Sequence, residues 1–259
     1  MAVPTVPSLA PGDGFAVRLT DAEVTGFHEQ GFLSIDRLTS VAEIAELRDI
    51  YDALFEPGAA IGKDDRLELA GSPDEAPVLP QIVNPDHYAP ELLQTVAYQN
   101  AQTIARQILG EDMSPMGMHA IRKPPRDGGA TPWHQDEAYW DPAMDHHAIS
   151  IWMPLQPATI ENGCMQFVPG THTSEVQEHR LINPDSHGLV VTHPESVGPA
   201  VACPLPPGGA TIHASRTLHY AGPNTTDQPR RALIMAFAAP PTRRATARSF
   251  PWQRPEWAS

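Results

Sequence analysis

From residue 112 onward, the sequence consists of short runs of β-branched and aromatic residues separated by turn signals. The runs are AISIWMPL, CMQFVPG, HGLVVT, GATIHA and RALIMAFA, and the turns include Asn162-Gly163 and Pro169-Gly170. Short strands spaced in this way are typical of antiparallel sandwiches and barrels. The pattern therefore predicts a β-core of two sheets over about residues 112–240, followed by a tail at 241–259.

Two helices are predicted before this β-core, and each begins with the Ser/Thr-x-x-Glu spacing of a capping box. The first box is Thr20 and Glu23, and the second is Ser40 and Glu43. Gly31 follows the first apolar helical pattern and is expected to end that helix.

The second helix is expected to end at Pro57-Gly58, and a third is predicted from Pro90 to Gly110. The stretch between them, 57–89, is rich in proline, aspartate and glycine and is expected to be a loop. The N-terminal part, about 19–110, is thus predicted to be helical, and the fold class is α+β in one domain over 1–259. A chain of 259 residues is long enough to bury its own core.

Composition excludes several classes of partner. The net charge is −14, and the 17 lysines and arginines are scattered, so neither nucleic acid nor a membrane surface is an expected partner. Residues 1–15 lack the basic n-region of a signal peptide, and no apolar run reaches the length of a membrane span. Two cysteines in a chain of this size favour free thiols and a cytoplasmic location.

The segment TPWHQDEAYW contains a His-x-Asp triplet, His134 and Asp136. Residues i and i+2 of an extended strand point to the same side, so the imidazole and the carboxylate can share one cation. A hydrogen-bonded pair at a strand end is the alternative, and the triplet taken alone favours that alternative. A second triplet, His193-Pro194-Glu195, reads as a loop because of its proline and its neighbours.

A third metal ligand is expected from a distant strand, and the candidates are His213 and His219. The turn GPNTTDQP follows His219 and leads into a strand that begins at Arg230. A hairpin of this form brings Arg230 back beside His219, where its planar fork suits a carboxylate. Two histidines and one carboxylate with open positions are the ligand set of non-haem Fe(II) oxygenases. This argument favours His219 and leaves His213 as the alternative.

Four segments resemble the phytanoyl-CoA dioxygenase family in sequence and in order. They are LTDAEVTGFHEQGFLSID, WHQDEAYW, ISIWMPLQPATIENGCMQFVPGTH and RTLHYAGPNTTDQPRRALIMAF, which together extend over most of the chain. The resemblance implies a double-stranded β-helix core of the jelly-roll type, with the N-terminal helices packed on one sheet. It also implies an oxygenase that uses Fe(II), 2-oxoglutarate and O₂.

The resemblance implies site residues as well. His134, Asp136 and His219 take the positions of the iron ligands, and Arg230 takes that of the residue that binds the distal carboxylate of 2-oxoglutarate. Trp152 matches a tryptophan of the cosubstrate pocket.

One departure concerns the position two residues after the distal histidine, where relatives often have a serine that touches the cosubstrate. This chain has Ala221, so His119 and Thr131 are candidates for the missing contact. Aromatic and sulfur-containing side chains near the ligands are candidates for the substrate pocket: Trp133, Tyr139, Trp140 and Met118.

The function expected from these features is oxidation of an unactivated C–H bond, with release of succinate and CO₂. The expected substrate is a small hydrophobic or polycyclic metabolite of secondary metabolism, with hydroxylation, cyclisation, epimerisation or desaturation as outcome.

The cluster Arg122, Lys123 and Arg126 leaves an acyl-CoA substrate open, and an amino-acid-like substrate is a further alternative. A zinc hydrolase with the same ligands and a non-catalytic binding module are the rivals from other classes. The protein is expected to be a monomer or a homodimer.

Overall fold

A computed structural model of the chain describes residues 15–71, 77–126, 128–184 and 187–253. Residues 1–14, on which the signal-peptide prediction depends, lie outside these ranges. The described residues form three α-helices, which are α1 (Asp21–Gln30), α2 (Val41–Leu54) and α3 (Val96–Leu109). In chain order the strands are β1 (Phe32–Ile35), β2 (Arg66–Glu68), β3 (Pro80–Val83), β4 (Ser114–Lys123), β5 (Thr131–His134), β6 (Met144–Pro154), β7 (Met165–Phe167), β8 (His179–Leu181), β9 (Leu189–Val191), β10 (Val201–Cys203), β11 (Ala210–Ala214), β12 (His219–Ala221) and β13 (Arg230–Arg243).

The strands form two main antiparallel sheets. The large sheet has the order β1-β11-β6-β13-β4-β3-β2, and the small sheet has the order β10-β7-β12-β5. Strands β8 and β9 pair with each other beside them. Apart from the consecutive strands β2, β3 and β4, neighbours in both sheets come from distant parts of the sequence, as in a double-stranded β-helix, and the jelly-roll prediction is confirmed.

The two faces of the large sheet pack against different partners. Along β13, Leu233, Met235 and Phe237 lie in one buried cluster with apolar residues of all three helices. The alternate residues Ala232 and Ile234 pack on the opposite face, against residues of the small sheet. Because side chains alternate along a strand, one sheet serves both the helical layer and the space between the sheets. The prediction that the N-terminal helices pack on one sheet is therefore confirmed.

The ends of helix α1 follow the sequence signals. The Thr20 hydroxyl accepts the backbone N–H of Glu23, and the Glu23 carboxylate accepts the N–H of Thr20, which completes the capping box. Gly31 ends the helix with φ of 82°, a left-handed conformation that glycine adopts without a steric cost. This helix is confirmed at both ends.

Helix α2 begins as predicted, but its acidic residue has another role. Ser40 caps the helix by accepting the N–H of Glu43, whereas the Glu43 carboxylate accepts the N–H groups of Val96 and Ala97 at 2.6 and 2.9 Å. These N–H groups belong to the first turn of α3, where an anion is favourable. Glu43 therefore joins two helices, an interaction between distant segments that a local capping pattern does not reveal.

Replacing Glu43 with alanine is expected to lower the free energy of unfolding by about 1–3 kcal/mol, because two N–H groups at the start of α3 lose their acceptor. Urea unfolding followed by circular dichroism measures this loss. Glu46→Ala is the matched control, since Glu46 is exposed on the same helix. Equal loss in both variants would show that Glu43 contributes only as a residue of α2.

The N-terminal part is less helical than its sequence predicts. Strand β1 pairs with β11, and β3 pairs with both β2 and β4 at the opposite edge of the large sheet. The expected loop at 57–89 thus contains a hairpin. The third helix also differs, because Pro90–Gln94 form a 3₁₀ turn and the α-helix begins after Thr95. These short segments have no clear periodicity of apolar residues, so pairing with distant strands decides their conformation.

Two smaller expectations concern the thiols and the helices. Cys164 and Cys203 are both buried and free, and burial raises the pKa of each thiol. In the described ranges, no helix has the length and apolar character that a membrane span requires.

Candidate metal centre and adjoining cavity

His134, Asp136 and His219 meet between the two sheets. One oxygen of Asp136, Oδ1, lies 3.7 Å from Nε2 of His134 and 3.4 Å from Nε2 of His219. All three ligand atoms lie within 4.8 Å of one another, and among the described residues this is the one such group of histidine, cysteine and acidic side chains. The other triplet, His193-Pro194-Glu195, is exposed, and its histidine and glutamate side chains pair with each other.

The strands bring the two histidines together, whereas a turn supplies the carboxylate. His219 on β12 is the direct cross-strand partner of His134 on β5, and their ring centroids are 4.1 Å apart. Strand β5 ends at His134, so Asp136 begins the 3₁₀ turn Asp136–Tyr139 instead of continuing the strand as predicted. Gln135 between them is still extended, with φ of −125° and ψ of 130°, which keeps both ligands on one side.

Both imidazole rings are oriented by backbone carbonyls. Nδ1 of His134 lies 2.8 Å from the Pro132 carbonyl, and Nδ1 of His219 lies 2.8 Å from the Thr217 carbonyl. A proton on Nδ1 donates to each carbonyl and leaves the Nε2 lone pair directed at the shared point. Burial lowers the pKa of both imidazoles, so the rings are held in the neutral form that binds metal.

The second oxygen of Asp136 faces the large sheet. The Ser150 hydroxyl on β6 donates to Oδ2 at 2.8 Å, and Nε2 of His213 on β11 lies 3.4 Å away from it. Burial by itself raises the pKa of Asp136, but the surrounding His219, His213 and His134 outweigh it and hold the pKa below its usual range. Ser150 and His213 thus hold Oδ2 away from the shared point, so that one oxygen remains for a metal. His213, the alternative third ligand, touches the carboxylate and lies outside the ligand group.

A cavity of about 370 Å³ opens beside the three ligands, and we refer to it as the chamber. Arg230 lines the chamber although its side chain is 1% exposed, and its Nε and Nη1 have no hydrogen-bond partner among the described residues. Burial lowers its pKa to about 10, which still leaves it charged at neutral pH. Trp152 lies beneath the guanidinium, 5.3 Å from its carbon to the ring centroid. A buried cation with unused donors fits the carboxylate of a bound ligand.

The route by which Arg230 reaches the chamber differs from the predicted hairpin. Strand β12 pairs with β5 and β7 in the small sheet, whereas β13 pairs with β4 and β6 in the large sheet. The segment between them crosses from one sheet to the other, so His219 and Arg230 face the chamber from opposite sides. The hairpin prediction is wrong, because turn residues do not determine which strands will pair with the strand before the turn and the strand after it.

Most of the predicted pocket residues line the chamber. His119, Thr131, Tyr139 and Trp140 do so, together with Trp152. Nδ1 of His119 lies 2.5 Å from the amide nitrogen of Gln81, a residue that the sequence reasoning missed. The remaining walls are mainly aliphatic side chains from the β2–β3 hairpin, β4, β9 and the segment before β9, among them Leu67, Leu69, Leu79, Ile121, Ile182 and Leu189.

The structure places two predicted pocket residues elsewhere. Met118 is 3% exposed and packs in the core beneath the helices, because its side chain points to the opposite face of β4 from His119. A bulge in the pairing of β4 with β13 directs Met116 into the chamber instead. Trp133 precedes the ligand His134 and therefore faces away from it, where it stacks on Tyr220 at 5.2 Å.

The three basic residues Arg122, Lys123 and Arg126 do not form one cationic patch. Lys123 is fully buried, and its Nζ donates to three backbone carbonyls at 2.6 to 3.0 Å, those of Gly129, Ala221 and Gly222. Burial lowers the pKa of Lys123 well below its usual range, and Arg230 lowers it further. Arg126 pairs with Asp227. Arg122 lies over the ring of Phe55, 5.7 Å from its centroid, so the three basic residues have separate contacts although they are close in sequence.

Residues missed from the sequence had only partial signals. Ser150 lies two positions before Trp152 in AISIWMPL, so alternation places both on the same face of the strand. No sequence pattern indicated the aliphatic wall residues of the β2–β3 hairpin, because residues 57–89 were predicted to be a loop. The described part of the tail, residues 241–253, does not line the chamber.

Comparisons with known proteins agree with this geometry. Residues 27–232 match the family model described as phytanoyl-CoA dioxygenase. A probable alpha-ketoglutarate-dependent hypophosphite dioxygenase from Stutzerimonas stutzeri is 25% identical over 219 residues, which are 82% of this chain and 76% of that protein.

Among solved structures, EvdO2 from Micromonospora carbonacea var. aurantiaca is 40% identical, with a TM-score of 0.80 over 93% of this chain and 99% of that chain. A second structure of EvdO2 contains 2-oxoglutarate. SnoK, a non-heme alpha ketoglutarate dependent carbocyclase from nogalamycin biosynthesis, is 25% identical, with a TM-score of 0.69 over 89% of this chain and 90% of that chain. The family match extends over most of the chain and coincides with a His/Asp/His group and a buried arginine. The chain belongs to the phytanoyl-CoA dioxygenase family and is an Fe(II)/2-oxoglutarate-dependent dioxygenase.

Proposed function

We propose that His134, Asp136 and His219 hold Fe(II) and that Arg230 binds the distal carboxylate of 2-oxoglutarate. The donor set fits the metal, because two neutral imidazoles and one carboxylate oxygen converge on one point. Arg230 fits the cosubstrate, because its buried donors face the chamber from the side opposite His219. With iron, cosubstrate and O₂ bound, oxidative decarboxylation to succinate and CO₂ supplies the oxidising power for C–H cleavage.

The side chains around Arg230 favour its contact with the carboxylate of 2-oxoglutarate. Trp152 forms an apolar surface against the guanidinium, and the burial of both side chains excludes water from a carboxylate bound there. Ala221 lines the chamber without a polar group, so His119 and Thr131 are the proposed donors for the remaining cosubstrate contacts. The chain's own contribution is therefore to bind, orient and dehydrate the cosubstrate.

The proposed substrate is a small, largely apolar and cyclic metabolite of bacterial natural-product biosynthesis. The observation that carries this proposal is the aliphatic and aromatic wall of the chamber, which continues from the metal ligands to Leu69, Ile182 and Leu189. Tyr139 and Trp140 provide flat surfaces next to Asp136 that suit a ring. The similarity to SnoK, a carbocyclase of nogalamycin biosynthesis, supports the same substrate class and makes ring closure one possible outcome beside hydroxylation, epimerisation and desaturation.

Anionic substrates fit the chamber less well. Relatives include a probable hypophosphite dioxygenase and a rat peroxisomal phytanoyl-CoA dioxygenase. Among the described residues, however, Arg230 is the only arginine or lysine that lines the chamber. In the proposed complex, 2-oxoglutarate already occupies Arg230. Lys123, Arg122 and Arg126 do not line it either. A phosphorus anion or a CoA group would therefore lack a charged partner there.

The test begins without a substrate. Protein mixed anaerobically with Fe(II) and 2-oxoglutarate is expected to show the weak visible charge-transfer band of the chelated cosubstrate. Succinate release is then measured with three sets of compounds: apolar cyclic metabolites, acyl-CoA esters, and hypophosphite or methylphosphonate. Faster release with the cyclic set supports the proposal. Absence of the band contradicts the assigned site, whereas a band with faster release only for acyl-CoA or a phosphorus anion contradicts the substrate class.

A further inference from the structure

The turn that carries Asp136 is held from outside by the C-terminal segment, residues 244–253. Glu137, the residue after Asp136, is fully buried. Its Oε2 accepts a hydrogen bond from Nε of Arg216 at 2.8 Å, and its Oε1 accepts one from Nη2 of Arg248 at 2.8 Å. A carboxylate buried at this point is stable only if its partners remain in place, so one arginine of the C-terminal segment is tied directly to the neighbour of Asp136.

The same segment also binds the backbone of the turn. Nε1 of Trp252 donates to the Ala138 carbonyl at 3.0 Å. The side-chain amide of Gln253 donates to the carbonyls of Ala138 and Trp140, at 3.0 and 2.7 Å. These carbonyls end a four-residue 3₁₀ turn and have no strand to pair with. The C-terminal segment therefore supplies the hydrogen bonds that a sheet would otherwise provide.

A network of alternating charges holds the segment itself in place. Arg244 pairs with Asp145 at 2.6 Å and with Glu175 at 2.8 Å, and Arg216 also pairs with Asp145 at 2.8 Å. Arg248 pairs with the buried Glu137 at 2.8 Å and lies 3.8 Å from Glu175, so three arginines face three carboxylates. Networks in which each charge has two partners are better ordered than isolated surface pairs.

We propose that residues 244–253 act as a positioning element for the iron site, by fixing the turn from which Asp136 projects. This proposal depends on the assignment of Asp136 as a metal ligand. His134 and His219 lie on paired strands, so the small sheet sets the distance between their rings. Ser150 on β6 binds Oδ2 of Asp136, but the backbone of Asp136 lies in a turn that belongs to neither sheet. The contacts of the C-terminal segment therefore hold the third ligand at its distance from the other two.

The test is the affinity of the full-length protein for Mn²⁺ alone, measured from the electron paramagnetic resonance signal of the free ion. In Arg248→Met the apolar stem is retained and the bond to Glu137 is lost. We expect Mn²⁺ binding about tenfold weaker than in the wild type, as for other residues that orient a metal ligand. Arg248→Lys, which restores a cation beside Glu137, is expected to recover part of the affinity. Arg243→Met is the matched control, because Arg243 is exposed and adjacent to the segment.

A second variant separates positioning from folding. Gln253→Leu removes two bonds to the turn and leaves the charge network unchanged, and severalfold weaker Mn²⁺ binding is expected at a temperature where circular dichroism shows a folded protein. Unchanged Mn²⁺ affinity in folded Arg248→Met or Gln253→Leu would overturn the proposal, even if the melting temperature falls. Loss of the fold in both variants would also overturn it, since the role would then be structural. Failure of the wild type to bind Mn²⁺ would instead contradict the assigned metal site.

Discussion

Alanine in place of Asp136 is expected to weaken Mn²⁺ or Fe(II) binding at least about a hundredfold and to abolish succinate release. Structural zinc sites with four ligands bind with roughly 10–16 kcal/mol, so one ligand contributes on the order of 3 kcal/mol. Asp136 supplies the only anionic ligand of the group, and its loss also leaves the Ser150 hydroxyl without its acceptor and removes the carboxylate beside His213. Mn²⁺ titration followed by magnetic resonance measures the affinity, and coupled detection of succinate measures turnover.

The chain offers a matched control for this substitution. Glu195 stands in the same His-x-carboxylate pattern as Asp136, but its triplet is exposed. Glu195→Ala is therefore expected to leave metal binding and turnover unchanged. The circular dichroism spectrum of Asp136→Ala should match that of the wild type, which excludes unfolding as the cause. If folded Asp136→Ala binds metal as tightly as the wild type, the proposed centre is wrong.

Methionine in place of Arg230 is expected to weaken the apparent affinity for 2-oxoglutarate about ten- to hundredfold. A hydrogen bond to a charged group contributes about 1.5–3 kcal/mol, and this range corresponds to the expected loss. Methionine retains much of the apolar contact with Trp152 while removing the donors that face the chamber. Titration of the anaerobic Fe(II) complex with 2-oxoglutarate, followed by its visible band, gives the affinity directly.

Metal affinity distinguishes a specific loss of 2-oxoglutarate binding in Arg230→Met from a general disruption of the site. Mn²⁺ affinity should change little in Arg230→Met, because Arg230 is not in the ligand group. Arg230→Lys retains the charge but not the planar fork, so an intermediate loss is expected. Arg180→Met provides the exposed control. An unchanged affinity for 2-oxoglutarate in Arg230→Met would show that another residue binds the distal carboxylate.

Much of the local structure was predictable because short-range interactions determine it. The capping box at Thr20 and the left-handed Gly31 define α1 from neighbouring residues alone. The strands after residue 112 follow from apolar runs and turn residues, and their alternation places Trp152 toward the chamber. Helix starts and strand faces depend on contacts within a few residues, which a sequence displays directly.

The departures arise where a distant segment decides the outcome. Glu43 has the spacing of a second capping box, yet the first turn of α3 competes for its carboxylate. Met118 faces the core while Met116 faces the chamber, because a bulge shifts the pairing of β4 with β13. The chamber walls include a hairpin from a region that reads as a loop. None of these outcomes has a local signal, since each depends on which strand or helix becomes the neighbour.

The chemistry of this protein was predictable from the types and order of its residues. Two histidines, an aspartate and an arginine, set within four ordered segments, were sufficient to indicate an iron- and 2-oxoglutarate-dependent oxygenase. Residue type decides which atoms can ligate a metal or bind a carboxylate, and that information is present before folding. Local spacing also indicated that His134 and Asp136 point to one side.

The tertiary structure decided how those residues are held and what surrounds them. It placed His219 and Arg230 on different sheets, on opposite sides of the chamber, and set Asp136 on a turn supported by the C-terminal segment. It also joined the β2–β3 hairpin and the segment before β9 into one apolar wall. These features depend on pairing between strands far apart in the chain, and such pairing is selected by the packing of the whole core.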